Sequence, residues 1–208
     1  MKVILVNGSA HKEGATYTAL CEVEKTLREE GIETEIFHIG NKAINGCQSC
    51  GGCAKLHRCV INDCVNEFVD KAREADGFVF GSPVYYAAIN GALSAFMDRA
   101  FYSGSYTAVF KHKVAAGVVN ARRGGNSAAF DELNKYFFIS QMVVPASSYW
   151  NMTHGYTPDD VRQDLEGLRT MRILARNIAW VLKCREAAEA AGIHPPVTEP
   201  LVLTNFVR

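Results

Sequence analysis

Four of the chain's seven cysteines lie within thirteen consecutive positions, in the segment GCQSCGGCAKLHRC at residues 46–59. Their spacing is C-x2-C-x2-C-x5-C, and the thiols belong to Cys47, Cys50, Cys53 and Cys59. Thiols this close together can form disulfides, bind zinc, hold an iron–sulfur cluster or stay free in an ordered loop. The choice among these depends on the compartment of the protein and on the spacing of the cysteines.

The start of the chain indicates a reducing compartment. In MKVILVNGS a short apolar run ends at Asn7 and Gly8. That run is too short for the hydrophobic region of a signal peptide, and no small-residue cleavage site follows it. We therefore expect a cytoplasmic protein whose thiols are kept reduced, which makes a disulfide framework the weakest interpretation.

The spacing disfavours zinc. Structural zinc sites with four cysteine ligands usually use two C-x2-C pairs separated by about fifteen to twenty residues, whereas five residues separate Cys53 from Cys59. The pattern is closer to the compact bacterial 4Fe–4S run, although that run ends in C-x3-C followed by proline. Gly51 and Gly52 would let backbone N–H groups approach the sulfurs. An iron–sulfur cluster and free thiols both stay open, and Cys64 adds a thiol at a predicted helix N-terminus, where its pKa is expected to be lowered.

The composition is that of one globular domain. The 208 residues are 48% hydrophobic and 21% charged, and 22 basic residues balance 22 acidic ones. A net charge of zero gives no indication of nucleic-acid or membrane binding. We predict a single domain over residues 1–208, with a cysteine-rich loop at 46–64 and an extended, proline-punctuated C-terminal tail at 193–208.

Strand and helix patterns alternate along the chain. The predicted strands are Val3–Val6 and the segments 32–39, GFVFGSPVYY (77–86), Val114–Val119 and MVVPASS (142–148). The last predicted helix begins at a Thr157 cap with Pro158 in its first turn and ends before Gly192. This α/β alternation predicts a doubly wound, five-stranded parallel sheet in the flavodoxin-like order 2-1-3-4-5, with helices on both faces.

Three loops follow the carboxyl ends of predicted strands, where such sheets bind ligands. The first is NGSAHKEGAT, at residues 7–16. Ser9, Thr16 and Thr18 provide hydroxyls beside a helix N-terminus, an arrangement that suits a phosphate monoester, and His11 and Lys12 add charge. The alternative is a simple turn and helix cap, which the loop alone does not distinguish from a phosphate site.

The second and third loops are GSPVYYAAIN (81–90) and NARRGGN (120–126). In the second, Pro83 and the two tyrosines Tyr85 and Tyr86 offer a flat apolar surface for a planar ring. In the third, Arg122 and Arg123 beside two glycines can bring positive charge and backbone close to an electron-rich ligand edge. Each loop also has a purely structural interpretation. The tyrosines of the second loop can be core residues, and the arginines of the third can belong to a basic turn exposed to solvent.

Together, NGSAHKEGAT, GSPVYYAAINGALSAFMDR and RRGG resemble the NADPH-dependent FMN reductase and iron–sulfur flavoprotein group of the flavodoxin-like superfamily. The resemblance covers about residues 1–150, and its most specific part is the second stretch. It implies three sets of FMN contacts. Those to the phosphate are Ser9, His11, Ala15 and Thr16, those along the isoalloxazine ring are Pro83, Val84, Tyr85 and Tyr86, and those at its polar edge are Arg122, Gly124 and Gly125. The group usually has arginine in place of His11 and often asparagine in place of Ala15, which predicts a weaker, pH-sensitive phosphate contact.

The resemblance also implies a function. It predicts an FMN-dependent oxidoreductase that takes a hydride from NAD(P)H and passes electrons to a small acceptor such as a quinone, free flavin or metal ion, with no catalytic side chain. The rival is an electron carrier between partner proteins, and a flavin-free binding module is a third reading. The cysteine spacing agrees with the iron–sulfur flavoprotein motif, which implies that Cys47, Cys50, Cys53 and Cys59 bind a 4Fe–4S cluster.

Members of this group tend to form homodimers or homotetramers, with the flavin at a subunit contact. The C-terminal tail is a candidate arm across that contact. Outside the cofactor loops, Asp98 and Arg99 are expected to be a surface pair or a structural contact, and Cys21 and Cys184 are expected to be buried.

Overall fold

A parallel sheet forms the centre of the protein, and the computed structural model describes residues 1–200, 202 and 204. Its strands are β1 (Lys2–Asn7), β2 (Glu33–His38), β3 (Gly77–Tyr85), β4 (Ala88–Ile89), β5 (Val114–Ala121) and β6 (Met152–His154). The order is β2-β1-β3-β5-β6, and β4 pairs antiparallel with β3. Without the short β4 this is the order 2-1-3-4-5, so the flavodoxin-like topology is confirmed with one additional strand.

The predicted fifth strand is in the wrong place. Of residues 142–148, Val143 makes an isolated parallel bridge to Val114, and the edge strand β6 begins only at Met152. Pro145 follows closely after the bridge and cannot donate to the ladder, which accounts for the interruption. The chain rejoins the sheet where β6 pairs with the end of β5, from Val119 onward.

Seven helices lie within the described residues. They are α1 (Ala15–Glu29), α2 (Cys53–Leu56), α3 (Cys64–Glu74), α4 (Gly91–Ser105), α5 (Asn126–Ile139), α6 (Pro158–Gln163) and α7 (Leu165–Ala190). The Thr157 cap is confirmed, since Thr157 and Asp160 form a capping box. The prediction of one continuous last helix is wrong, because the segment forms two helices, α6 and α7. Asp164 lies between them in a non-helical conformation and caps α7 by accepting a hydrogen bond from Gly167 N.

Both faces of the sheet are covered. On one face α1 and α7 pack against Val3 and Leu5 of β1 and against β5. On the other, α3, α4 and α5 pack around Phe68, which contacts five further phenylalanine rings: Phe37, Phe78, Phe80, Phe96 and Phe110. Burial of apolar surface on both faces explains why the central strands read as continuous apolar runs. Among the described residues, none of the helices has both the length and the apolar character needed to cross a membrane.

The described part of the C-terminal tail folds back onto its own chain. Residues 193–196 line a cavity with Met1, Asp76 and His112, which precede or begin strands, and Lys111 Nζ contacts Thr198 Oγ1. This is the amino-terminal edge of the sheet, opposite the edge where ligands bind in such folds. Within one chain, residues 193–196 therefore lie at the edge opposite the expected flavin site, an arm across a subunit contact stays a prediction, and residues 201, 203 and 205–208 of the predicted tail lie outside the described residues.

The packing of α1 on the sheet predicts that truncating two different leucines will change the free energy of unfolding by very different amounts. Leu20 is fully buried against Gly81 of β3, whereas Leu165 is 74% exposed at the start of α7. Leu20→Ala should lower the free energy of unfolding by about 2–5 kcal/mol, because it removes buried methyl groups and leaves a cavity. Leu165→Ala, the same chemical change, should stay within about 0.5 kcal/mol. Urea unfolding of both variants measures this, and equal effects would contradict the described packing.

Candidate functional site

A cavity of about 820 Å³ opens at the carboxyl ends of β1, β3 and β5. That volume is within the usual range for small-molecule and cofactor sites, about 300–1,000 Å³. Eight of the eleven residues expected to contact a flavin line this cavity: Ser9, His11, Ala15, Thr16, Pro83, Val84, Tyr85 and Arg122. The fold therefore brings parts of all three predicted loops to one place.

The other three residues lie outside the cavity lining. Tyr86 and Ala87 connect β3 to β4 in a tight two-residue turn with positive φ at both positions, which points the Tyr86 side chain fully into solvent. Gly125 packs beneath this turn, since a Cβ there would come within 2.9 Å of Ala87 Cα. Gly125 thus supports the hairpin, while Gly124 is in the loop between β5 and α5.

A fourth loop, which the sequence analysis missed, closes the other side of the cavity. Gly155, Tyr156, Thr157 and Pro158 line it between β6 and α6. Asn120, another lining residue, holds this loop by donating a hydrogen bond to Gly155 O at 3.0 Å. The sequence predicted the helix cap at Thr157 and Pro158. Because it placed the fifth strand too early in the chain, it did not predict that this cap follows the end of a strand.

The N-terminus of α1 forms one wall of the cavity and is open to an anion. Gly14 is its N-cap and supplies no side-chain acceptor, and the first turn carries no acidic residue. Free backbone N–H groups at a helix N-terminus bind phosphate and similar anions well. Thr16 is almost completely buried beside them, whereas the Thr18 hydroxyl donates to Gly14 O within the helix, so only Thr16 of the two fits the predicted phosphate contact.

Two buried asparagines hold the first loop in shape. Asn7 Oδ1 accepts a hydrogen bond from Ser9 N at 3.1 Å, and its Nδ2 donates to Lys12 O at 3.0 Å. Asn90, at the start of α4, donates to Gly8 O at 2.8 Å. These bonds fix the loop before any ligand arrives, which lowers the entropy cost of binding.

The four clustered cysteines line a second, smaller cavity. Cys47, Cys50, Cys53 and Cys59 all contribute to it, together with Arg99 of α4. Within the described residues, no group of three or more His, Cys, Asp or Glu side chains is gathered closely enough to hold a single metal ion. The four cysteines of a 4Fe–4S cluster bind different iron atoms and are farther apart than ligands of one ion. The four thiols share one cavity, and their assignment as ligands of a 4Fe–4S cluster stays a prediction.

Arg99 reaches this second cavity from within the protein, so of the two expected roles, a surface pair or a structural contact, it has the second. It does not pair with its neighbour Asp98, which accepts a hydrogen bond from Tyr136 at 2.6 Å. The Arg99 guanidinium is almost completely buried and binds both carboxylate oxygens of Asp63, at 2.6 and 2.9 Å. It also donates to Cys59 Sγ at 3.3 Å. The sequence signal that could have found it is Asp63, a helix cap directly after the cysteine run.

The remaining thiols also differ from the expectations. Burial, followed by the charge of Asp63, raises the pKa of Cys64, so the predicted lowering at the helix N-terminus is wrong. Burial likewise raises the pKa of Cys53. Cys184 is exposed and Cys21 is half-buried, because both lie toward the outer side of their helices; neither is a core residue.

Sheet order and helices on both faces define the flavodoxin-like fold, and the cavity lies at the carboxyl ends of its strands. Solved structures share this fold. One is a WrbA-like flavodoxin of Agrobacterium tumefaciens, at 16% identity and TM-score 0.62, and the match covers 88% of this chain and 96% of the flavodoxin. An NAD(P)H:quinone oxidoreductase of Methanothermobacter marburgensis, at 16% identity and TM-score 0.63, covers 86% and 98%.

Sequence comparison identifies the family. Residues 1–157 match the family described as NADPH-dependent FMN reductase. An iron-sulfur flavoprotein of Methanocaldococcus jannaschii is 35% identical over 192 residues, which cover 88% of this chain and 98% of the relative. The chain belongs to the NADPH-dependent FMN reductase family, and the resemblance found in its loops is confirmed.

Proposed function

We propose that the protein is an oxidoreductase that binds FMN in the larger cavity, takes a hydride from NAD(P)H and passes the electrons to a small acceptor such as a quinone, free flavin or metal ion. The observation that carries this proposal is one cavity that joins an open helix N-terminus to an apolar wall. A phosphate at one end and a planar ring at the other match these two surfaces.

The residues of the cavity have distinct roles in this proposal. Ser9, Thr16 and the first N–H groups of α1 bind the phosphate, and His11 lies beside them in the cavity lining. Pro83, Val84 and Tyr85 lie along the ring. Arg122 provides positive charge at its polar edge, Gly125 packs beneath the hairpin, and Tyr86 and Gly124 are in the loops next to the cavity. When bound, FMN supplies the hydride chemistry.

Exposed aromatic residues favour a planar acceptor. Tyr85, at the end of β3, and Tyr156, in the loop after β6, both line the cavity, and their side chains are 48% and 78% exposed. Tyrosine rings bury apolar area against flat molecules and prefer offset stacking. Nicotinamide and quinone rings share this flat shape, so one open ring face can serve both substrates in turn.

A second candidate, an iron–sulfur flavoprotein that carries electrons between partner proteins, is favoured by the four cysteines around one cavity. The relative from Methanocaldococcus jannaschii is named an iron-sulfur flavoprotein and is matched over nearly its whole length. In this reading Cys47, Cys50, Cys53 and Cys59 bind a 4Fe–4S cluster and exchange electrons with a flavin across a subunit contact. Reduced thiols of this kind agree with a cytoplasmic location.

Anaerobic purification tests both candidates. We expect yellow protein with about one FMN per chain and rapid oxidation of NADH or NADPH when a quinone is added. A cluster would add about four iron and four acid-labile sulfide per chain. Bound FMN without nicotinamide oxidation, in protein that still accepts electrons from dithionite, would contradict the enzyme and support the carrier.

Two threonines of α1 provide a matched test of the phosphate site. Thr16→Val removes a hydroxyl beside the helix N-terminus, and the loss of one hydrogen bond to a charged group should raise the Kd for FMN roughly tenfold to a hundredfold. Thr18→Val removes a hydroxyl that is bonded within the helix and should leave the Kd within about threefold. Flavin fluorescence quenching measures both, and equal Kd values for Thr16→Val and the wild type would contradict this placement.

We also propose that the protein is a homodimer or homotetramer. Four apolar side chains are exposed where the ends of α4 and α5 meet: Tyr102, Tyr106, Phe138 and Ile139. Tyr102 and Ile139 line a cavity of about 400 Å³, and an exposed apolar surface of this kind is typical of an interface.

Ile139→Glu places a charge in that surface and should shift the mass measured by light scattering toward the monomer. Leu165→Glu, at an exposed position at the start of α7, is the control and should keep the wild-type mass. A monomeric wild type that binds FMN and oxidises NAD(P)H would show that the site needs no second subunit.

A further inference from the structure

Both the backbone and the sulfur of Cys59 are fixed by hydrogen bonds to buried side chains. Its backbone N–H donates to Asn66 Oδ1 at 2.9 Å, and its carbonyl accepts a hydrogen bond from Asn66 Nδ2 at 2.9 Å. Its sulfur accepts a hydrogen bond from Arg99 Nε at 3.3 Å. Asn66 and Arg99 are both almost fully buried, so two costly polar side chains serve one cysteine.

The guanidinium of Arg99 uses all five of its N–H donors in this region. Besides Cys59 and the two oxygens of Asp63, it donates to Ile61 O at 2.9 Å and to Asn45 O at 3.4 Å. Its partners lie before, within and after the cysteine run. Arg99 therefore joins both ends of the loop to α4 with no donor left unsatisfied.

The chemistry of the contact points to a negatively charged sulfur. A neutral thiol is a weak acceptor, whereas a sulfur that binds iron carries negative charge and accepts such bonds well. The Asp63 carboxylate binds the two terminal nitrogens of the guanidinium, away from Nε, so the positive end of this ion pair faces Cys59. Hydrogen bonds and net charge near the ligand sulfurs set the reduction potentials of such clusters.

We propose that Arg99 is a positioning residue for the cysteine loop, which holds Cys59 in ligand geometry and raises the reduction potential of the iron–sulfur cluster bound there. This inference rests on the cluster proposed above. Neither Asp98 nor any residue of the larger cavity takes part in it. One electron enters the cluster on reduction, and the fixed positive charge stabilises the more negative state that results.

Two substitutions on the same ion pair separate charge from structure. Arg99→Gln removes the positive charge beside Cys59, so the midpoint potential should shift downward. Asp63→Asn keeps the Arg99 hydrogen bond and can still cap α3 through its side-chain oxygen, but it removes the counter-charge, so the potential should shift upward. Arg99→Lys keeps the charge without the planar fork and should fall between Arg99→Gln and the wild type. Arg172→Gln, which breaks an ion pair with Glu22 between α7 and α1, should leave the potential unchanged.

The measurement is an anaerobic redox titration followed by electron paramagnetic resonance, with iron, sulfide and FMN counted for each variant. Opposite shifts for Arg99→Gln and Asp63→Asn support the inference, as does loss of iron from Arg99→Gln with FMN retained. Full iron content with unchanged potentials, or shifts of the same sign in both, overturns it while leaving the cluster in place. Wild-type protein with FMN but no iron overturns the cluster itself, and the inference with it.

Discussion

The close approach of β1 and β3 at their carboxyl ends is the constraint on which the larger cavity depends. Gly8 N donates to Gly81 O at 2.8 Å, and a Cβ on Gly8 would come within 2.6 Å of Leu93. Asn90 donates to Gly8 O, and its own backbone N–H donates to Ser82 Oγ. Because these groups are buried, each must be paired or destabilise the fold, and their pairing locks the first loop, the hairpin and α4 into one unit.

A second cluster of polar side chains fixes the conformation of the cysteine loop. Asp63 caps α3 and pairs with Arg99, while Asn66 binds the backbone of Cys59. Arg99 is buried in this ion pair while Asp63 is partly exposed, and such a pair gains little net stability, because desolvation of the guanidinium offsets the attraction. Its effect is to specify one geometry for a loop that has few apolar side chains. The two cavities are thus built in the same way, by polar side chains that secure irregular backbone on a rigid sheet.

The sequence predicted most of the fold but only part of the site. Alternating strand and helix patterns predicted the sheet order, and the loops after β1, β3 and β5 predicted most of the cavity lining. The edge strand was misplaced, because Pro145 divides a short apolar segment into a single bridge at Val143 and a loop. Edge pairing depends on contacts with β5 rather than on local pattern, so the loop that carries Tyr156 was missed.

The sequence by itself determined the fold class, the family and which loops meet at the carboxyl ends, because hydrophobic period and loop motifs are local properties of the chain. Only the tertiary structure decided that Arg99 turns inward to Asp63 and Cys59 instead of pairing at the surface with Asp98. It also decided that Tyr86 points away from the cavity and that burial raises the pKa of Cys64. Charge pairing, side-chain direction and desolvation depend on neighbours that are distant in sequence, and no local pattern records them.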